Sequence, residues 1–393
     1  MWQLRVAAFG ALCIFGLTPV WVAAQIVPNP NAGAQKPTVA TTPSGIPLVQ
    51  ISRPSAAGVS NNQYEQFSVG RAGAVLNNSP TSVQSQLAGW IPGNANLTSP
   101  AKIILNQVTG NLPSMLAGQI EVAGRRAEVV IANSAGITCS GCGFINTSRG
   151  ILTTGTPVIG PSGSLDAFRV TSGTVSLTGA GLNASNLDQV DVIARAVSVN
   201  ASVYANSLNV ITGANQVDHT TLAATPVAGT GKAPSVSVDV SQLGGMYAQH
   251  IWLVGTERGV GVNDAGTIAA QSGDLTLSSQ GKLVVSGNTN ASGNLNLSAA
   301  GGVENTGSIY GLQSTTVNSP SDVSNTGTIA GQAQVVVNGK NISSTGNLAA
   351  GVDASGNVGQ SGDLIVVAGN TLAANGRNIA GGNWRGCEGR RRD

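Results

Sequence analysis

Ala265-Gly266-Thr267-Ile268 is echoed by Thr306-Gly307-Ser308-Ile309, Thr326-Gly327-Thr328-Ile329 and Thr345-Gly346-Asn347-Leu348, and Gly287 in a Ser-Gly-Asn-Thr stretch fills the gap. The glycines at 266, 287, 307, 327 and 346 therefore stand 21, 20, 20 and 19 residues apart. Within each interval apolar residues alternate with polar ones, as in Leu275/Leu277, Leu295/Leu297 and Val335/Val337. That period of two is the mark of a strand with one buried face. A unit of about twenty residues made of short strands cannot bury its apolar face alone, and stacking copies of it gives a parallel β-solenoid. Leucine-rich repeats share the period, but their Leu-x-x-Leu-x-Leu signature is missing. A coil of three short strands predicts Ile and Val stacked inward, Asn and Thr in ladders, and Gly or Asn at corners that need φ > 0.

The same rhythm runs outward from the repeats. Val190, Val192, Ala194, Ala196 and Val199 nearly alternate, and Val236, Val238 and Val240 alternate strictly. The reading is a β-helix from about 51 to 383, with roughly 16 coils at ~4.8 Å each and a length of about 75–80 Å. Composition agrees: the 393 residues include 53 Gly and 34 Asn, and only 9% are charged, too few helix formers for a helical enzyme. With 41% apolar residues the chain is not a charged disordered segment either.

The ends differ from the body. Arg5, the apolar stretch Val6 to Leu17 and the small residues Val22-Ala23-Ala24 read as a secretory signal over 1–24, cleaved near Ala24–Gln25. Pro19 interrupts a stretch already short of the ~20 residues a spanning helix needs. Residues 25–50, with five prolines, read as an extended lead-in. After Gly382 the composition changes abruptly, so 384–393 read as an atypical tail, for which a frameshift or truncation is the preferred reading and a genuine basic tail the alternative. Four of the 19 basic residues lie in that tail, and without it the acids and bases balance. A neutral body offers no electrostatic case for a nucleic-acid partner.

Motifs for chemistry are sparse. His219 and His250 lie in no metal or triad pattern. Cys139-x-x-Cys142 lacks the second pair of ligands a zinc site requires and the βαβ context of a redox motif. In a secreted chain it reads as a small local disulfide. Gly229-Thr230-Gly231-Lys232 has Pro226 at the first glycine position of a P-loop and Ala233 in place of Ser or Thr, so it reads as a loop. A β-helix polysaccharide lyase is the enzyme alternative. It would need an acidic cluster for a cation and a basic residue on one coil face. Asp188 and Asp191 are close, but no motif ties a base to them. The chain is read as a non-enzyme, with no catalytic residue, cofactor or metal.

Three ordered stretches carry a family resemblance. Residues 58–80, GVSNNQYEQFSVGRAGAVLNNSP, come first. Ile103 to Gly110, Gly118 to Gly124 and the run VVIANSAGITCSGCGFINTSRGILTTGTP at 129–157 follow. Gly245-Met246-Tyr247-Ala248 and Val254 to Asn263 complete the set. Together they resemble the haemagglutination-activity domain of two-partner-secretion exoproteins, the group that includes filamentous haemagglutinins and contact-dependent inhibition proteins.

The resemblance covers 51–265, and the repeats at 266–383 resemble the start of that family's shaft. It implies an all-β, right-handed parallel β-helix with an N-terminal cap and minor extra-helical strands. It also implies an adhesin-type protein exported through an outer-membrane β-barrel transporter with periplasmic recognition domains. A host or bacterial cell-surface receptor would be the second partner, and a truncated stalk of a contact-dependent inhibition toxin is the alternative. Asn77, Asn78, Asn106, Gln107, Asn133 and Gly136 are the candidates for transporter recognition or for the folding nucleus. The family's usual Asn-Pro-Asn-Gly or Asn-Pro-Asn-Leu is Asn133-Ser134-Ala135-Gly136 here, a turn that Ser and Ala specify less strongly than Pro and Asn.

Overall fold

The computed structural model describes residues 25–388, so the signal read at 1–24 and the last residues of the tail lie outside the described part. One 35-stranded sheet winds into a parallel β-helix with three faces. The first face runs from Pro47–Gln50 through Ala74–Asn78 and Gln119–Gly124 to Arg377–Ala380. The second begins at Val59–Phe67, continues through Ile103–Val108 and Ala127–Asn133, and ends at Trp384–Glu388. The third starts with Ser114–Leu116, Ile137–Cys139 and Thr174–Leu177. Antiparallel pairing is confined to the cap and to the excursions outside the coil. In the cap, Ile26–Pro28 lies against Val59–Phe67, and Thr38–Thr41 against Pro47–Gln50. The proline-rich segment 25–50 is therefore folded onto the first coil. In the stretch of altered composition, Trp384–Glu388 still pairs in parallel with Asp363–Ala374.

Thirteen strands stack in the first face, fewer than the sixteen coils expected. Twelve spacings of ~4.8 Å make the stack about 58 Å long. Excursions account for the missing coils. Residues 79–100 leave the coil to form the hairpin Val83–Ser85 with Gly89–Ile91. A four-stranded antiparallel flap, Thr156–Ile159, Leu165–Val170, Asn215–Asp218 and Ala224–Pro226, uses two more stretches. The last complete turn of the first face, from Leu348 to its partner Asn378, detours through an exposed loop near 353–360.

The interior follows the alternation. Met246, Ile268, Thr289, Ile309, Ile329 and Leu348 form one inward column, all buried. Val262, Leu283, Val303, Val323 and Ile342 form another. A single apolar cluster runs from Ile26 to Ala368 without a break near 265. Slipping any strand by one residue would turn its whole inward set to solvent, which is why the register holds over so many coils. The asparagine ladder is present too: Asn305 donates to Asn325 at 2.7 Å, and Asn325 to Ser344 at 3.0 Å.

The repeat glycines correct one expectation. None of Gly266, Gly287, Gly307, Gly327 and Gly346 has a positive φ. They are glycines because they touch. A Cβ on Gly287 would lie 2.1 Å from the Gly266 carbonyl oxygen, and Gly307, Gly327 and Gly346 each meet the glycine one coil below at the same distance. The following N–H groups of Ser308, Thr328 and Asn347 use those carbonyls at 2.8–2.9 Å, so the close approach is a hydrogen-bonded corner.

Candidate functional site

The candidate residues do not meet in one place. Asn77 and Asn78 hold a corner on one coil and Asn133 to Gly136 a corner on the next, while Asn106 and Gln107 lie within the strand Ile103–Val108, and all but Gln107 are buried. Asn78 ends a first-face strand. Its Nδ2 donates to the carbonyls of Ala101 (3.0 Å) and Arg125 (2.9 Å), and its Oδ1 accepts from the Ala101 N–H at 2.7 Å. One side chain thus closes the neck of the 79–100 excursion. Asn77 donates to Gln50 Oε1 and to the Pro92 carbonyl at 2.9 and 2.8 Å. Asn106 faces the core, where its Oδ1 accepts the buried Tyr64 hydroxyl at 3.0 Å and its Nδ2 reaches the Val130 carbonyl at 3.2 Å. Gln107, the next residue, points the other way and is half-buried.

Asn133 makes a turn within a turn. Its Oδ1 accepts from Ala135 N–H at 2.9 Å, and its backbone carbonyl accepts from Gly136 N–H at 3.1 Å. Its Nδ2 ties the corner to the coil below, through the Leu112 carbonyl and Ser114 Oγ. Ser134 and Ala135 thus take the two central positions without Pro or Asn, because Asn133 supplies the constraint from the side. Gly136 is required for its conformation, φ +118°. An unmade hydrogen bond at a buried donor or acceptor costs about 1–3 kcal/mol. Asn78→Ala and Asn133→Ala should each lower stability in urea unfolding by that amount, and Gln107→Ala should change it by no more than about 0.5 kcal/mol.

The next corner carries Cys139 and Cys142, joined by a disulfide with Cα atoms 5.3 Å apart. Cys139 ends a third-face strand and Cys142 opens a first-face strand, so the bond spans the bend between faces. Secreted protein alkylated without reductant should show neither thiol modified by mass spectrometry. Replacing both with Ser should cost less than the roughly 3 kcal/mol estimated for a fifteen-residue loop.

Charged residues position the excursions. Glu121 is buried, and its carboxylate accepts from Ser85 Oγ, Gln86 N–H and Leu87 N–H at 2.7–2.9 Å, which pins the 83–91 hairpin to the first face. On the outer side of the second face, Arg149 Nε donates to Asp191 Oδ2 at 2.5 Å, and Asn209 and Gln189 donate to Asp191 Oδ1 at 2.7 and 2.8 Å. Glu128 lies 3.7 Å from Arg149 and 2.6 Å from His219 Nε2. His219 belongs to the rim of the flap, edge-on to Phe168, so this network fastens flap to coil. Around it Leu105, Val130, Ile151, Ile193 and Ile211 point outward into a second apolar cluster with Phe168 and Val217. Strands covered on both sides read as continuous apolar runs rather than alternating ones, as Val129 to Ala132 does.

Arg195 straps a further loop. It forms a two-pronged pair with Glu257 and donates to the Thr230 carbonyl at 2.6 Å, inside the segment that superficially resembles a P-loop. The hydrogen bonds from Arg195 hold the Glu257 carboxyl below the usual range. Asp188 is paired with Arg126, and Asp191 is fully buried beneath Arg149. The two acids considered for a lyase are therefore each engaged by an arginine. His250 stands exposed at the start of its strand. Among the described residues no three His, Cys, Asp or Glu side chains gather as metal ligands would.

This arrangement, a β-helix whose charged residues fasten its excursions, matches known proteins in sequence and in shape. Residues 24–285 match the family model of the TPS secretion domain. The chain is 57% identical to the tRNA nuclease CdiA-2 of Burkholderia pseudomallei (strain 1026b) over 382 residues, which is 97% of this chain and 12% of that protein. It is 46% identical to the toxin CdiA of Yersinia pestis over 288 residues, 72% of this chain and 9% of that one. The chain thus spans about a tenth of the length of these curated relatives. In shape it is similar to the crystal structure of the filamentous hemagglutinin secretion domain, with a TM-score of 0.54 at 27% identity over 93% of this chain and 99% of that one.

Proposed function

Because the chain belongs to the TPS secretion domain family, we propose that residues 25–265 are the export signal read by the periplasmic domains of an outer-membrane β-barrel partner. Folding outside the cell would then follow, and the folded β-helix would present an adhesive surface to a host or bacterial receptor. The observation that carries the first part is the burial of Asn77, Asn78, Asn106 and Asn133. In the folded state these side chains are spent on the chain's own backbone and on Tyr64, so a transporter can read them only before folding. An extended strand can add to a sheet edge through backbone hydrogen bonds, and the asparagines would be free to contribute. Once they are buried in the coils, that recognition surface is gone and return is disfavoured. Export should stop when the partner barrel is deleted. Unchanged secretion in the deletion strain would defeat the proposal.

A second reading is favoured by the 57% identity to tRNA nuclease CdiA-2, namely the stalk of a contact-dependent inhibition toxin. The chain covers 12% of that relative, so its nuclease name is not carried over. Growth inhibition of neighbours by cells that secrete only this chain would show that the toxic activity lies within it.

A further inference from the structure

Three of the chain's four tyrosines stand on one line. On the outer side of the first face, the register runs Tyr204, Tyr247, Ala269, Asn290, Tyr310 from coil to coil. The Tyr204 and Tyr247 rings stack with centroids 5.4 Å apart and planes within 20°. Tyr247 lies over Gly245, whose absent Cβ would strike the ring at 2.6 Å. This contact gives a reason for the glycine in the Gly245-Met246-Tyr247-Ala248 motif. One coil further along the same line, the register partner of Tyr247 is Ala269, which contributes only a methyl group. Beyond it a groove of about 480 Å³ runs over Ala269, Asn288 and Asn290 to Tyr310 and Leu312. Its far end is bounded by the loop that follows Gly351. Tyr310 donates its hydroxyl to the Val352 carbonyl at 3.3 Å, and Asp353 accepts from the Ser355 and Asn357 N–H groups at 2.9 Å.

We propose that this groove binds a neutral, linear oligosaccharide. The reading gives the adhesive half of the function proposed above a site and a ligand class, and rests on it only for the source of the glycan. The walls fit that chemistry. Aromatic faces carry partial negative charge and suit the C–H-lined face of a pyranose. The floor offers Asn288 and Asn290 amides, each with two donors and an acceptor, matched to ring hydroxyls or an acetamido group. None of the lining residues is charged, so nothing there selects a sulfated or phosphorylated chain. The site runs along the helix axis, and from Tyr247 to Tyr310 it covers three coil spacings of ~4.8 Å, roughly 14 Å, which suits a short linear chain better than a single sugar. Mostly apolar walls with a few placed polar groups are the usual make-up of a small-ligand site.

The test is titration calorimetry of the mature secreted chain with chitotetraose, cellotetraose, maltotetraose and a heparin-derived tetrasaccharide. We expect saturable binding of at least one neutral tetrasaccharide, unchanged in 0.5 M salt. Tyr247→Ala and Ala269→Leu should each weaken it tenfold or more, and Tyr204→Ala, behind the stack, less than threefold. Thermal melts of the three variants establish that each is folded. The proposal is overturned if no neutral tetrasaccharide binds, if folded Tyr247→Ala and Ala269→Leu bind as the parent does, or if only the heparin fragment binds and salt abolishes it. A parallel cell-binding assay separates the two claims. Binding to cells without any oligosaccharide binding removes the site and leaves adhesion standing, whereas the reverse removes adhesion and leaves the site.

Discussion

Replacing Arg149 with methionine is expected to destabilise the folded chain by about 3–5 kcal/mol, the usual cost of stranding one partner of a buried ion pair. Asp191 is fully buried and meets Arg149 Nε at 2.5 Å. The variant would leave its carboxylate with the Asn209 and Gln189 amides but no cation. Glu128 would keep only His219. Adding Asp191→Asn should recover most of the loss, since the pair is coupled and the stranded charge is what costs. The double variant also removes Arg149 Nη2, a buried nitrogen with no hydrogen-bond partner. Equilibrium unfolding in guanidinium gives the magnitude, and hydrogen exchange gives the place. Protection should fall first in the flap strands Leu165–Val170 and Asn215–Asp218, which the network holds to the coil. A single variant within about 1 kcal/mol of the parent would mean that the flap is held by its apolar contacts alone.

Asp264→Asn is expected to stabilise the protein at neutral pH. Asp264 is an inward corner residue, on the same inward line as Asn305 and Asn325. It is completely buried, accepting from Thr289 Oγ1 at 2.7 Å and Gly266 N–H at 3.1 Å. Burial pushes its pKa from 3.8 to about 6, against the pull of those two hydrogen bonds. A carboxyl whose folded pKa is raised contributes stability that is fully present below its unfolded value and is lost as pH rises through the folded one. The loss therefore falls between about pH 4 and pH 6, and two pK units correspond to about 3 kcal/mol. Asparagine can accept the Gly266 N–H with its Oδ1 and donate its Nδ2 to Thr289 Oγ1, so both contacts persist without a charge, the second reversed. The melting temperatures of parent and variant should coincide at pH 4, separate as pH rises to about 6 and then stay apart to pH 7, with the variant higher. A gap that does not change with pH would show that ionisation at 264 is not its source.

The parts of this fold legible in the sequence were those written in short spacings. The twenty-residue glycine period, the alternation of Leu275/Leu277 or Val335/Val337, and the Asn133–Gly136 turn all lie within one coil. Asn and Gly in such patterns do local work that a reader of the chain can assign. The excursions were not legible, and this made the expected coil count too high. Residues 155–172 and 213–235 have strand-like composition, and nothing in them says that they leave the coil and pair antiparallel outside it. Asn77, Asn78 and Asn133 were recognisable as corner residues, whereas Asn106 faces the core from within a strand. Their separate roles, one closing a neck, one holding a tyrosine hydroxyl and one bracing a turn, depend on partners 19 to 47 residues away.

By itself, then, the sequence determined that the chain winds, how long each turn is and which side chains point inward, because backbone hydrogen bonding and apolar burial repeat with the period of the coil. Only the tertiary structure decided why the repeat glycines are glycine, where Arg149 finds Asp191, and that three tyrosines share one line. The Arg149–Asp191 bond crosses 42 residues and the Arg195–Glu257 pair 62, distances set by how many coils and excursions intervene. A solenoid brings residues together along its axis, one coil spacing at a time, while the chain between them varies in length. Sequence separation consequently fixes neighbours within a coil, and contact between coils is settled by the stacking itself.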